Sequence, residues 1–420
     1  MRRTSGTQYE PAKQVKKITL TEKSVSKRRI FFIALFFCVG IGAFVYAFTH
    51  LGSNKKGWQT VALDRTNEDS CSVDFTFTYE FGTGKGGINK EYSAVRELYE
   101  KLTTDGYRLF DRSAEYDGVV NVRSINRHPN ETLTVSEALY RALAVFEKSN
   151  SRDIYLGALA EHYEALIGAD SAEALAETDP YTSEEVREFF GKVASFALDP
   201  ASVRLELLDG NRVILHVSEE YLTYASSNDI ENFIDFGWTK NAFLADYIAD
   251  GFLAKGYNHG VIASFDGFVR NFAESEEEFS YPLYMRVGNT VYTAASVAYR
   301  GNKSIVSLRS YPVDTLDQFR YLLMADGSIR NCYVDEDGLS KAACAELTGW
   351  SDGLSCAETA VAMVEYYIAD TWNRAVAADG LRGKGVFTVT HDDYVIHCND
   401  TSAVIGKLYD RDGVRFTVSQ

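Results

Sequence analysis

Ile234–Asp250 reads IDFGWTKNAFLADYIAD. Its first residues predict a short buried strand ending at Gly237. Beyond Lys240 the apolar residues Phe243, Leu244, Tyr247 and Ile248 recur at helical spacing, so a helix follows. A strand that delivers a glycine and a lysine to a helix start is a recurrent way to hold a phosphate. The glycine lets backbone approach the anion, the free helix N–H groups point at it, and the lysine adds charge. The same pattern also describes an ordinary strand-to-helix junction that binds nothing, so its surroundings must decide.

Working outward, Val203–Leu207 and Val213–Val217 read as a hairpin turning at Asp209-Gly210, and further strands are expected at Gly260–Phe265, Pro282–Val287 and Thr290–Ser296. Asn89–Thr104 predicts a helix with Val95, Leu98, Tyr99 and Leu102 on one face. Thr134-Val-Ser-Glu137 and Thr182-Ser-Glu-Glu185 read as capping boxes opening helices to about Lys148 and Leu198, the second stopped by Pro200. A long helix is expected from Cys356 to Ala375. The chain then ends in two hairpins, Val386–Thr390 with Tyr394–Cys398 and Ala403–Leu408 with Gly413–Val418. Helices and hairpins mixed irregularly predict an α+β fold rather than a doubly wound sheet. No linker or repeat interrupts the sequence after Ser72, so residues 72–420 are expected to form one large domain.

The formal net charge of −16 hides an asymmetry. Residues 1–29 carry nine Lys/Arg against two Glu, whereas the remainder holds 34 basic and 57 acidic residues. So acidic a body repels nucleic acid, and no nucleic-acid partner is expected. Ile30–Phe48 contains no charged residue. As a helix it would span about 28 Å, close to the hydrocarbon thickness of a bilayer. Lys27–Arg29 precede it directly, which places residues 1–29 in the cytoplasm as a basic tail. Residues 30–48 are then a single-pass transmembrane helix, 49–71 a tether and the rest an extracytoplasmic domain at the cell membrane. A cleaved signal peptide is the competing reading, but the run is long and Phe48–Gly52 offers no small-x-small site. Cys38 within the run reads as a membrane-buried thiol.

Other motifs carry less. Gly82-Thr-Gly-Lys-Gly-Gly87 lacks the Ser or Thr that a Walker loop needs after its lysine, and reads as a turn. The seven histidines form no metal-ligand pattern, and Asp335-Glu-Asp-Gly338 reads as a solvated turn rather than a calcium loop. Of the cysteines after the apolar run, Cys332, Cys344 and Cys356 lie close in sequence; one local disulfide or three reduced thiols both fit.

An ordered series of segments is more informative. Asp111–Asn126 (DRSAEYDGVVNVRSIN), Arg152–Leu159 (RDIYLGAL), Asp235–Asp246, Phe265-Asp-Gly267, Asp326–Gly338 (DGSIRNCYVDEDG) and Ser355–Val364 (SCAETAVAMV) follow one another. Over roughly Val73–Val418 this succession resembles the FAD:protein FMN transferases, the ApbE-like family. The resemblance implies a membrane-associated extracytoplasmic enzyme with FAD as substrate or ligand and Mg²⁺ as cofactor. Such an enzyme joins FMN to a threonine or serine of a flavin-acceptor membrane protein and releases AMP. That is phosphoryl transfer, in which a metal offsets phosphate charge while an acidic group helps the hydroxyl attack in line.

Carried over by position, Asn126 matches the family's asparagine, while Val120-Asn121 stand where it has Ser-Glu. The family's Asp-x-Gly-Gly-x-Ala-Lys-Gly resembles Asp235–Asn241: Asp235, Gly237 and Lys240 match, one residue is missing, and Asn241 replaces the last glycine. Asp246 fits the aspartate further along that helix. His-x-x-Asp-Pro-x-x-Gly resembles Asn331–Gly338, with Asp335 kept, Cys332 for the histidine and Glu336 for the proline. The magnesium-binding Asp-Ala-Leu-Ala-Thr-Ala resembles Ser355–Ala360, where Thr359 and Ala360 match and Ser355 replaces the aspartate. The resemblance thus implies nucleotide contacts from Asn126, Asp235, Gly237, Lys240 and Asp246, acid/base work by Asp335, and metal contacts from Thr239, Ser355 and Thr359. Replacing the carboxylate by Ser355 removes a hard, charged ligand, although Glu358 lies one helical turn on. The expected function is a divergent or impaired transferase, with a non-catalytic flavin-binding or assembly protein of a membrane complex as the alternative.

Overall fold

The computed structural model describes residues 56–63, 69–83, 87–313 and 320–419. The basic tail, the apolar run Ile30–Phe48 and residues 84–86 of the glycine cluster lie outside them. Among the described residues no helix is long and apolar enough to cross a membrane.

Nine strands build the main sheet: Gly57–Thr60, Phe75–Phe81, Gly260–Ser264, Phe268–Asn271, Lys303–Arg309, Glu346–Ser351, Phe387–Asp392, Val395–Cys398 and Thr417–Ser419 (β1 to β9). Their order in space is their order in the chain, and neighbours are antiparallel except β8 and β9, which run parallel. On β2 the large residues Phe75, Phe77, Tyr79 and Phe81 alternate with more exposed ones, so one face of the sheet is committed to a core. That face is covered by the helices Ile88–Leu109 (α1), Lys240–Leu253 (α4) and Cys356–Tyr367 (α5), while Glu137–Ser149 (α2) packs on α5 and Gly157–Ile167 (α3) lies further out against other helices. The opposite face packs against the long hairpin Glu278–Val287/Thr290–Arg300, through Val269, Ile305 and Trp350 on the sheet and Leu283, Met285 and Val297 on the hairpin. The expected α+β class holds.

α1 buries Val95, Tyr99 and Leu102 as their spacing predicts, with the Tyr99 ring 4.9 Å from that of Phe77. α4 is different in kind. Ala242, Phe243, Leu244, Ala245, Ile248, Ala249 and Phe252 are all buried, because it lies between the sheet and the helices α1 and α5.

Several expectations need correcting. Ile234–Phe236 pairs with no strand among the described residues, and Phe236 already has helical backbone angles; a side chain and a helix-start carbonyl take the backbone groups of Ile234 and Asp235 instead. Part of the expected tether, Gly57–Thr60, is the edge strand β1, paired with β2. The caps at the second and third predicted helices are Ser136 and Ser183 rather than Thr134 and Thr182, since each of these serines accepts from the backbone N–H three residues on. The long helix from Cys356 breaks after Tyr367, and a separate helix occupies Arg374–Gly383. The last expected hairpin does not form. Val404–Gly406 pairs with the long hairpin, and Thr417–Ser419 runs parallel to β8. Cys71, Cys332, Cys344, Cys356 and Cys398 are all free thiols, so no local disulfide closes.

Candidate functional site

The segment before α4 is held by Asn126, which is itself buried in the short helix Val122–Arg127. Its Oδ1 accepts from Phe233 N (2.9 Å) and Ile234 N (3.0 Å), while Nδ2 donates to Ile234 O (2.9 Å). One side chain thus does what a neighbouring strand would do. Next along the chain, Asp235 N donates to Ile154 O (2.9 Å), and the buried Asp235 carboxylate pairs with Arg112 (2.6 Å). Gly157 allows this approach, because a Cβ there would lie 2.2 Å from Asp235 N. Gly237 then turns the chain at φ +51 into the 3-10 turn Gly237–Thr239 and on to α4.

These elements wall a cleft. Its wider part, about 950 Å³, lies between the C-terminal end of α2, the turn Asp335–Gly338 and α5. A narrower part of about 340 Å³ runs on to Asp235–Thr239, Arg320 and Cys332. Asp153, Leu156 and Val334 line both parts.

The residues singled out in the sequence divide among several places. Asp235, Gly237 and Thr239 line the narrow part, and Asp335 and Glu358 line the wide one. Asn126, Lys240, Asp246, Ser355 and Thr359 lie outside the lining of both. Lys240 sits with its ammonium 5.7 Å over the Tyr107 ring; burial raises the pKa of nearby Asp74 and Cys71, and the Lys240 charge only partly offsets this. Asp246 accepts from Cys356 N (3.0 Å) and Ala357 N (2.8 Å), and so caps α5. Ser355 and Glu358 complete that cap as a true capping box. The start of α5 is therefore closed by the protein's own acceptors. Burial pushes the Asp246 carboxyl up to about 6, against the opposing pull of these N–H groups and Arg270.

The proposed metal contacts can be judged in the same terms. Thr359 Oγ1 donates to Ser355 O (2.8 Å), Thr239 Oγ1 donates to Phe236 O (2.6 Å), and Ser355 Oγ accepts from Glu358 N (3.2 Å). These three hydroxyls bring no negative charge, so the set does not fit Mg²⁺. Among the described residues no group of three or more His, Cys, Asp or Glu side chains is arranged to hold a metal ion.

Three cleft residues were not singled out by sequence reasoning. Arg320 pairs with Asp266 and reaches Trp238 O (3.3 Å). Lys341 pairs with Asp335; its place shortly after the acidic turn was the one available signal. Asp153 lies inside the quoted RDIYLGAL segment, at the junction of the two cleft parts. Burial, with Glu336 and Asp335 nearby, raises its carboxyl to about 6 from 3.8, although its contact with Ser151 opposes this.

A stability prediction follows with a definite sign. The folded pKa of Asp153 lies above its unfolded value, so the native state holds the proton more tightly. The benefit is complete below about pH 4 and is lost as pH rises through about 6. Asp153→Asn should flatten the fall in melting temperature over that window relative to wild type. Parallel wild-type and variant profiles would count against burial of this carboxylate as the cause.

No protein-family model matches the sequence, and no curated protein matches it. Solved structures do. The ApbE protein of Thermotoga maritima aligns at a TM-score of 0.52 and 15% identity, over 83% of this chain and 97% of that one. The chain has an ApbE-like fold. Two further ApbE-like structures align less well. They are the flavin transferase ApbE of Vibrio cholerae (TM-score 0.45, 12% identity, 79% of this chain and 93% of that one) and the flavinyl transferase ApbE of Pseudomonas stutzeri in its apo form (0.46, 13%, 80% and 91%). In this ApbE-like chain the opening segment Ile234–Asp250 forms both a wall of the cleft and the central helix of the core.

Proposed function

We propose that this chain binds a flavin nucleotide in the cleft, on the outer side of the membrane to which Ile30–Phe48 anchors it, and that its FMN-transfer chemistry is impaired. The ApbE-like fold and the size of the cleft support the binding role. So does Gly237, whose missing Cβ leaves open space beside the backbone at the cleft wall. One observation carries the impairment. Asp335, the carboxylate assigned to acid/base work, has both oxygens engaged: Oδ1 accepts from Glu336 N (2.7 Å) and Oδ2 pairs with Lys341 (2.8 Å). A carboxylate held in this way is a poor base for a hydroxyl proton. The metal contacts have likewise become scaffold hydrogen bonds. A flavin-acceptor membrane protein remains the partner that this reading implies.

The test uses the purified full-length chain with FAD, Mg²⁺ and a flavin-acceptor protein. Saturable quenching of FAD fluorescence is expected, without covalent flavin on the acceptor by in-gel fluorescence. Lys240→Ala should leave the FAD affinity unchanged. Labelled acceptor would show that transfer survives. Absence of FAD binding would remove the flavin reading altogether.

A further inference from the structure

Three features of this chain that could hold a phosphate are committed elsewhere. At the start of α4, Thr239 N donates to Phe236 O (3.0 Å) and Lys240 N to Gly237 O, so the turn keeps these N–H groups for itself. The Lys240 ammonium lies over the Tyr107 ring, outside the lining of either cleft part. At the start of α5, Asp246 accepts from Cys356 N (3.0 Å) and Ala357 N (2.8 Å), and Ser355 Oγ accepts from Glu358 N (3.2 Å). An anion is held at a helix start by N–H groups that have no other acceptor, and both of these starts supply their own.

The charge of the cleft points the same way. Its wide part is lined by seven carboxylates against four basic side chains. Three of those bases are engaged. Lys341 pairs with Asp335 (2.8 Å), Asp337 (2.8 Å) and Asp370 (2.7 Å), the last from just beyond the end of α5. Lys384 pairs with Glu365 (2.6 Å), and Arg152 donates to the carbonyls of Ala197 (2.6 Å) and Val203 (2.7 Å). In the narrow part Arg320 is held by Asp266 (2.5 Å) and Trp238 O (3.3 Å). Arg112 divides its fork between Asp235 (2.6 Å) and Glu164 (2.7 Å). Lys148, exposed on the rim of the wide part, is the base that remains among the described lining residues.

What the cleft does offer is a slot for a flat apolar ring. Leu156, Tyr163, Phe236, Trp238 and Val334 line the narrow part, and Gly237 leaves open space beside the backbone there. At about 340 Å³ it has the scale of a small-molecule site. We propose that the cleft recognises the riboflavin part of a flavin and selects against its phosphates, so that riboflavin binds more tightly than either FMN or FAD. Riboflavin is uncharged and meets only the ring slot. FMN and FAD bring phosphate charge towards an excess of carboxylates, and Coulomb repulsion opposes their binding. This selectivity rests on the flavin reading above and narrows its ligand class.

The experiment titrates riboflavin, FMN and FAD separately into the purified full-length chain, following flavin fluorescence at neutral pH, first at low ionic strength and then with added NaCl. At low salt riboflavin should bind about tenfold more tightly than FMN or FAD, the scale of one or two like-charge contacts across water. Added salt should narrow the gap, because it screens the repulsion and leaves the ring contacts alone. Glu336→Gln removes an exposed carboxylate from the wide part. It should tighten FMN binding about threefold and leave riboflavin unchanged. Asp370→Asn, which releases one donor of Lys341, is the second variant and should act in the same direction. FMN or FAD binding as tightly as riboflavin, or a gap that salt does not narrow, overturns the selectivity and leaves the flavin reading in place. So does a pair of folded variants in which FMN gains nothing relative to riboflavin. Binding of no flavin at all overturns both.

Discussion

Asn126→Ala is expected to lower stability by about 3–5 kcal/mol, because it strips partners from three buried backbone groups at once. The N–H groups of Phe233 and Ile234 lose their acceptor and Ile234 O loses its donor, in a stretch where these residues are buried. Among the described residues no strand lies alongside to take them up. Each such group left unpaired costs about 1–3 kcal/mol, and water entering the vacated space recovers only part of it. The measurement is the urea midpoint at constant slope, with FAD affinity followed in parallel, since Asp235–Thr239 form the cleft wall directly downstream. Asn126→Asp keeps an acceptor for the two N–H groups but sets an oxygen against Ile234 O, so it should fall between wild type and alanine. A loss below about 1 kcal/mol for alanine would mean that the segment is held mainly by its apolar packing.

Asn126 also shows where the sequence was legible and where it was not. The apolar periods of α1 and α4 and the alternation in the hairpin strands are local signals, so these elements fall close to where the spacing places them. The run Ile234–Phe236 carries the same local signal as a buried strand. What denies it strand pairing is a side chain 108 positions away. The long helix after Cys356 had no proline to stop it, and its end at Tyr367 is set by tertiary structure: Ala343 N donates to Tyr367 O (2.7 Å).

The candidate site was legible in the same uneven way. Asp235 and Gly237 line the narrow part of the cleft and Asp335 the wide one. Asp246, which the resemblance would set against the nucleotide, has its oxygens capping a helix, a role that no spacing reveals. Lys341 was missed because its meaning depends on Asp370, which approaches from a different element. Charge compensation between distant segments has no sequence period.

Gly157→Ala should be nearly as damaging as Asn126→Ala, for a steric reason rather than a polar one. Gly157 opens α3 with no positive φ, so glycine is not there for backbone freedom. Space is the constraint. An added Cβ would stand 2.2 Å from Asp235 N and 2.5 Å from Ile234 C, both of them backbone atoms that no rotamer change can move. Either α3 or the 234–235 segment must shift, breaking Asp235 N to Ile154 O and loosening the Asp235–Arg112 pair. Overpacking against backbone of this severity costs about 3 kcal/mol or more. Gly237→Ala, in the same wall, supplies the contrast. Its φ of +51 disfavours alanine, but nothing lies within 4 Å of the new Cβ, so only the conformational penalty of about 1–2 kcal/mol applies. The two variants should therefore differ in melting temperature in the order Gly157→Ala well below Gly237→Ala. For FAD binding the order should weaken or reverse, because the alanine methyl at 237 projects into the space a ligand would use. Equal destabilisation by both would mean that the wall yields to Gly157 more readily than its packing indicates.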